Sequence, residues 1–324
     1  MAKEMKVLVI SGFLGAGKTT FIKTMVQRTG KTFCILENEY AGSKADTTVL
    51  EEEDDVKVWE MTEGCICCTM KNNFANKILN ISGLLEPDYL IVEATGIGFL
   101  SKIISNIQTI EHEWIRLMQA ITIVDASSVQ NRSFLNDELY LDQIKNAQVL
   151  VLSKAEHWSE EERLAAEAFL RSLNEKAEII TDHYSSQPDD WWKALLLRYF
   201  DGHLASVAED EEARWDSLTL NDITISGTAR LLCLLEDLLN GCYGRIIRAK
   251  GMVKADGQWF LCDISGDRYS IRTMDAQEKS NLVFIGENID KEAIRSQFTA
   301  IKRPIKIQIT GRPYGQRPSS TALL

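Results

Sequence analysis

The chain has 324 residues, 45 % apolar and 26 % charged, an ordinary globular composition with room for about two domains. Its 36 Lys and Arg against 47 Asp and Glu leave a net charge of −11, which argues against broad nucleic-acid binding, since that binding sets basic residues against phosphate. No run of 18 apolar residues is present and the amino terminus lacks a signal-peptide pattern, so no membrane association and a cytoplasmic location are expected. From residue 5 to about 200, short runs rich in Val, Ile and Leu alternate with helical patterns. The runs are 7–10, 33–36, 89–92, 120–124, 149–152 and 178–180, none with strict polar alternation. Strands read that way when a parallel sheet buries both faces. The expected fold is α/β: a doubly wound, mainly parallel sheet. Residues 160–173 form the clearest helix, with Ser159 as its N-cap. Trp191 and Trp192 read as helix packing.

Residues 201–222 carry the acidic run 209–212 and no sustained period, and are taken as a linker. A helix over 228–239, stopped by Gly241, opens a smaller α+β domain. Strands are expected at 245–253, 259–264, 269–273 and 282–285, with turns at 256–257 and 266–267. A helix over 291–298 and a strand over 305–309 complete it. The expected division is 1–200, linker 201–222, second domain 223–314 and a loose tail 315–324.

The strongest chemical signal lies between the first strand and the first helix. Gly12-Phe-Leu-Gly15-Ala16-Gly17-Lys18-Thr19 fits GxxxxGK[ST] in the strand–loop–helix context that gives the motif meaning. Such a loop turns its N–H groups inward around a β-phosphate, and the helix N-terminus adds partial positive charge. Lys18 is expected at the β- and γ-phosphates and the Thr19 hydroxyl on Mg²⁺. Glu93 ends the strand at 89–92, where a carboxylate faces the nucleotide, and Gly96 can bring its N–H to the γ-phosphate. Glu37 and Glu39 end the second strand and point to one side, with Asn38 opposite.

The seven cysteines include Cys65, Cys67 and Cys68, three thiols within four residues. Thiolates at this density suit Zn²⁺, Co²⁺ or Cu⁺, with a fourth position open to water or another ligand. A redox pair at Cys67 and Cys68 is the competing chemistry. Cys34, Cys233, Cys242 and Cys262 each sit in apolar surroundings and read as core. His112, His157, His183 and His203 read as surface residues, with His112 the one placed to approach the thiols.

GFLGAGKTT, ENEYAG, GCICCT and VEATG, in this order, resemble the CobW-like P-loop GTPases, a family of metallochaperones related to the urease and hydrogenase nickel-insertion GTPases. GRIIRAKG at 244–251 and LVFIG at 282–286 extend the resemblance through the second domain. It implies GTP and GDP held by residues 12–18 and by Thr19 and Thr20, with Mg²⁺ at Thr19. It places Glu39 and Glu93 around Mg²⁺ and the switches, with Glu39 also open to the transition metal. It implies Zn²⁺ or Co²⁺ on the three thiols and a client metalloenzyme apoprotein as partner, and it admits a homodimer. Asp125 matches a VDA element read as structural. Two departures stand out. Ser153-Lys154-Ala155-Glu156 replaces the guanine-reading NKxD, and no His-rich stretch is present.

The resulting expectation is a GTPase that carries one metal ion and releases it to a client under nucleotide control. Turnover is expected to be slow alone, since no arginine finger is evident. Two other readings stand beside it. One is an assembly or reactivation GTPase for a cobalamin-dependent or other metalloenzyme that does not carry the ion itself. The other is a nucleotide-dependent kinase or redox enzyme.

Overall fold

The computed structural model describes residues 3–38, 56–61, 71–131, 137–205, 216–265, 268–277 and 279–300. The first part runs β1 (Met5–Ser11), α1 (Lys18–Thr29), β2 (Phe33–Asn38), β3 (Val56–Met61), α2 (Lys71–Leu85), β4 (Tyr89–Glu93) and α3 (Leu100–Gln108). It continues β5 (Ile115–Leu117), β6 (Ile121–Asp125), α4 (Ala126–Asn131), α5 (Glu138–Lys145), β7 (Val149–Ser153), α6 (Glu160–Leu173), β8 (Glu178–Ile180) and α7 (Asp189–Leu195). Among the described residues these strands form one sheet in the order β3-β2-β4-β1-β6-β7-β8, with short β5 against the start of β1. Every pairing is parallel.

Burial on both faces explains the apolar runs. In β1, Val7 and Val9 enter one core with residues of α2, α3, α5 and α6, while Leu8 and Ile10 enter the other with α1 and α7. Trp192 of α7 is fully buried against Phe21 of α1, with ring centroids 5.1 Å apart, so the helix-packing reading of the Trp pair holds. α6 starts on the expected cap. Ser159 Oγ accepts from the Glu162 N–H and Glu162 Oε2 accepts from the Ser159 N–H, a capping box with three acids in the first turn.

The second part comprises β9 (Asp216–Asn221), β10 (Ile223–Ile225), α8 (Thr228–Leu239), β11 (Arg245–Ala255), β12 (Gln258–Ser265), β13 (Arg268–Met274), β14 (Asn281–Glu287), α9 (Lys291–Ser296) and β15 (Thr299–Ala300). Its strands form a second sheet, mostly antiparallel, with β10 parallel to β11. Asp256 and Gly257 both have positive φ, the geometry of a two-residue hairpin, and Ala255 pairs with Gln258 across them. α8 buries Leu231, Leu234, Leu235 and Leu238 on one stripe.

Several expectations change. Residues 216–221, assigned to the linker, form β9: Leu218 and Leu220 are buried and their neighbours are not, a period of two that the preceding acids obscured. The acidic run 209–212, the turn at 266–267, the strand at 305–309 and the tail lie outside the described residues. Cys34 and Cys262 are buried, and burial pushes the Cys262 thiol up to about 12. Cys233 and Cys242 are exposed instead: α8 turns its leucines, not Cys233, inward, and Cys242 lies beyond the helix end. No described helix is long and apolar enough to cross a membrane.

The two sheets share a core. In β14, Leu282 and Phe284 enter the core under α8, while Val283 and Ile285, with Ile247 of β11, join the core beneath the first sheet. Leu204 packs on that first core too, and the Ala205 N–H donates to Asn146 Oδ1 at 2.9 Å. Cavity-forming substitutions of this kind cost about 2–5 kcal/mol. Phe284→Ala is therefore expected to lower stability within one cooperative transition, whereas Val283→Ala/Ile285→Ala splits unfolding into two transitions. Scanning calorimetry checks this, and a single undivided transition in the double variant would count against a shared core.

Candidate functional site

The phosphate loop leaves the carboxyl end of β1 and ends at the first residue of α1. Gly12 has φ +144°, and a Cβ there would lie 2.3 Å from the Ile123 carbonyl oxygen, so β6 touches the loop backbone directly. Only glycine permits both the angle and the approach. Gly15 and Gly17 also have positive φ, and Ala16 is buried. Lys18 is 9 % exposed, and its Nζ donates to Gly12 O at 2.9 Å and Phe13 O at 3.4 Å, holding the ammonium against the loop. Thr20 is exposed one residue past Thr19.

Two expected partners meet at the other side of the loop. Thr19 Oγ1 donates to Glu93 Oε1 at 3.0 Å. Strand register brings further acids to the same end of the sheet, for Glu93 pairs with Ile10 and Glu37, and Glu37 pairs with Glu60. Gly96 follows Glu93 closely, and a Cβ on it would stand 2.6 Å from the Leu14 N. The segment after β4 thus lies against the phosphate-loop backbone. Thr19 and Glu93 are hard oxygen donors beside a phosphate-binding loop, the donor set that Mg²⁺ takes. Glu39, Cys65, Cys67 and Cys68 lie outside the described residues.

The third support comes from β7. Ser153 Oγ donates to Ala16 O at 2.7 Å, with Val124 O at 3.2 Å. A hydroxyl at this place therefore ties the phosphate loop to the end of β7. Lys154 follows in a left-handed conformation, φ +59°, and its Nζ donates to Asp125 Oδ2 at 2.8 Å. Asp125, read from sequence as structural, is thus the anchor of Lys154. Burial raises the Asp125 carboxyl, but the bonds from Lys154 and Ser127 more than reverse this and hold it below the usual carboxylate range.

Glu156 is half exposed, and its Oε1 lies 3.4 Å from His183 Nε2. The Ser185 N–H donates to His183 Nδ1, an arrangement that leaves the Nε2–H for Glu156 in the neutral ring. His183 stacks on buried Tyr184, with centroids 4.5 Å apart. Sequence reading placed His183 among surface residues. The signal was its place just after β8, a loop at the same sheet edge. His112 lies elsewhere: it is exposed and bridges to Ile115, which pairs with Met5 at the opposite end of β1 from the loop.

Two more residues reach this region unannounced. Gln143 of α5 is 1 % exposed and touches the segment after β4. Arg268, opening β13 of the second sheet, donates from Nη2 to Ser127 Oγ at 3.1 Å and stands 3.7 Å from Asp125 Oδ2. No spacing rule reaches across 141 residues to such a contact.

Residues 6–181 match the family model "CobW/HypB/UreG, nucleotide-binding domain", and residues 227–302 match "Cobalamin synthesis protein cobW C-terminal domain". A protein named zinc chaperone CobW, from a Sinorhizobium species, is 27 % identical over 90 % of this chain and 96 % of its own. A protein named zinc chaperone YjiA, from Escherichia coli strain K12, is 26 % identical over 92 % and 98 % respectively. The solved structure of the Zn(II)-bound YjiA GTPase from E. coli covers 91 % of this chain and 98 % of its own, at 20 % identity and a TM-score of 0.44. The first family model spans more than half of the sequence, and the chain therefore belongs to the CobW/HypB/UreG family of P-loop GTPases.

Proposed function

We propose that this protein hydrolyses GTP and carries one zinc ion to a client metalloenzyme apoprotein, with the nucleotide governing release. The observation that carries this reading is the meeting of Lys18, Thr19 and Glu93 at the sheet edge from which the chain leaves β3, four residues before Cys65. The residues that sense the phosphates and those that hold the metal start from one edge. Full-length similarity to two proteins named zinc chaperones favours zinc over cobalt.

Each residue has a task under this reading. Lys18 and the loop N–H groups of residues 12–17 bind the β- and γ-phosphates. Thr19 and Glu93 hold Mg²⁺, which supplies positive charge to the phosphate oxygens when bound. The Gly96 N–H faces the γ-phosphate, so the 93–98 segment distinguishes triphosphate from diphosphate. Lys154 lies along the base and Glu156 accepts from it, a carboxylate one methylene longer than the usual aspartate and steadied by His183. Glu39 adds an oxygen ligand to one of the two metals. The thiolates of Cys65, Cys67 and Cys68 hold zinc as cargo, with an open fourth position that suits transfer. The unit from β9 onward is the client-docking module.

Three outcomes test it. Zinc titration of the reduced protein is expected to tighten about 5–150-fold with a non-hydrolysable GTP analogue and Mg²⁺, and this binding is lost in Cys65→Ser/Cys67→Ser/Cys68→Ser. Tight binding that survives the triple replacement would overturn the cargo site. Ser153→Ala removes a clamp worth about 0.5–1.5 kcal/mol, so guanine-nucleotide affinity falls by up to about tenfold in competition with a fluorescent GDP, and thermal stability falls with it. Asp125→Asn is less stable than the parent at neutral pH. A lowered folded-state pKa contributes stability above the unfolded value and loses it as pH falls through the folded one. The deficit is therefore constant from neutrality down to about pH 5 and closes only below about pH 4, as read by denaturant unfolding at each pH.

A further inference from the structure

α5 is a short helix that buries polar groups among its apolar ones. Asp137 caps it by accepting from the Leu139 and Tyr140 N–H groups, and it buries Asp142 and Gln143 beside Leu139, Tyr140 and Ile144. Polar groups at such depth are kept where they are hydrogen-bonded. Asp142 Oδ2 accepts from the Ser101 N–H at 3.1 Å, at the start of α3. Gln143 does more. Its Nε2 donates to Gly98 O at 3.0 Å and to Gly96 O at 3.3 Å, using both amide protons on one loop. Its own carbonyl accepts from Thr122 Oγ1 at 2.8 Å, which ties α5 to β6. The Gln143 Oε1 is buried with no hydrogen-bond partner among the described residues.

The loop it holds needs an external support. Position 96 must be glycine because a Cβ would meet the Leu14 backbone at 2.6 Å. Glycine gains that approach at the cost of conformational freedom. An N–H that is to point at one phosphate oxygen therefore cannot rely on its own residue to fix the peptide plane. Within the segment the Gly98 N–H donates to Thr95 O at 2.9 Å and the Ile97 N–H makes a long bond to Thr95 Oγ1 at 3.5 Å. Gln143 grips the carbonyls on both sides of Ile97 from an element that is itself fixed to the sheet.

We propose that Gln143 is the positioning residue of the γ-phosphate sensor: by holding the Gly96 and Gly98 carbonyls it sets the loop that tells a nucleoside triphosphate from a diphosphate. This rests on the reading of Gly96 as that sensor. Gln143 touches no phosphate and acts through the loop. Its unpaired Oε1 lies ready to accept an N–H of the loop when a triphosphate shifts it.

The test compares GDP and a non-hydrolysable GTP analogue, each with Mg²⁺, on the full chain. Affinities come from competition with a fluorescent GDP, and amide exchange is followed over residues 94–100. Gln143→Leu keeps the volume and removes both donors. The expected result is an analogue affinity weaker by about 5–30-fold with GDP affinity nearly unchanged, and loss of the extra protection that the analogue gives the loop. Gln143→Glu has a donor only when neutral, and burial raises its carboxyl, so discrimination is regained as pH falls from about 8 to about 5. Unaltered discrimination in Gln143→Leu overturns the proposal, as does an equal loss for both nucleotides, which marks a merely structural role. Should Gln143→Leu not fold, pH-independent discrimination in Gln143→Glu overturns it. If the analogue protects the loop no better than GDP in the parent protein, the sensor reading of Gly96 fails and takes this proposal with it. Protection present in the parent and equal in Gln143→Leu overturns this proposal alone.

Discussion

A phosphate loop built almost wholly of glycine and apolar residues has few side-chain polar groups with which to hold its own shape, so its neighbours must hold it. Here three do so. The backbone of β6 at Ile123 stands against Gly12, the segment after β4 stands against Leu14 through Gly96, and Ser153 from β7 bonds the Ala16 carbonyl. These contacts come from strands on both sides of β1, where the parallel order changes direction. Each is made by backbone or by a short hydroxyl, so each requires close approach. The buried sheet is what makes such approach repeatable: with apolar side chains filling both faces, strand ends cannot drift by the few tenths of an ångström that would open the loop.

The same edge resolves an apparent conflict of charge. A chain with net charge −11 is set to bind a polyanion. The positive groups are few and placed: Lys18 lies on the loop, Lys154 and Arg268 both approach Asp125. Asp125 spends its charge on these two cations, so it orients them without standing as a bare carboxylate. Glu93 is directed at Thr19 instead, whose hydroxyl donates to its carboxylate. Local arrangement, rather than total charge, decides what the site can hold.

What could be read beforehand divides along physical lines. The apolar runs of the first sheet, the phosphate-loop spacing, the Ser159 cap and the helix over 228–239 are local patterns, and all appear at their expected places. β5 escaped because three residues carry no period, and β9 because acids precede its alternation. The site divides likewise. Lys18, Thr19 and Glu93 follow from a motif and a strand end, whereas Asp125, Gln143, His183 and Arg268 owe their places to contacts between distant segments. A glutamine on a short helix looks like any solvent-facing residue until the fold turns it inward. Ser153 is instructive in another way. It departs from NKxD, and its hydroxyl bonds the Ala16 carbonyl of the phosphate loop.

The second sheet is joined to this machinery at several levels, and their combination matters more than any one. β14 divides its side chains between two cores, so the sheet is attached by packing and not by a tether alone. Asn146 at the end of α5 receives the Ala205 N–H, and the same side chain donates to Asp142, whose carboxylate holds the start of α3. Arg268 reaches back to the residue that anchors Lys154. The second sheet is therefore one contact, through Asp125, from Lys154. Close-packed interiors move between discrete arrangements and do not deform smoothly. A sheet packed into the first core and in contact with Asp125 can follow a rearrangement there as a unit, whereas one attached only by a linker would average it away.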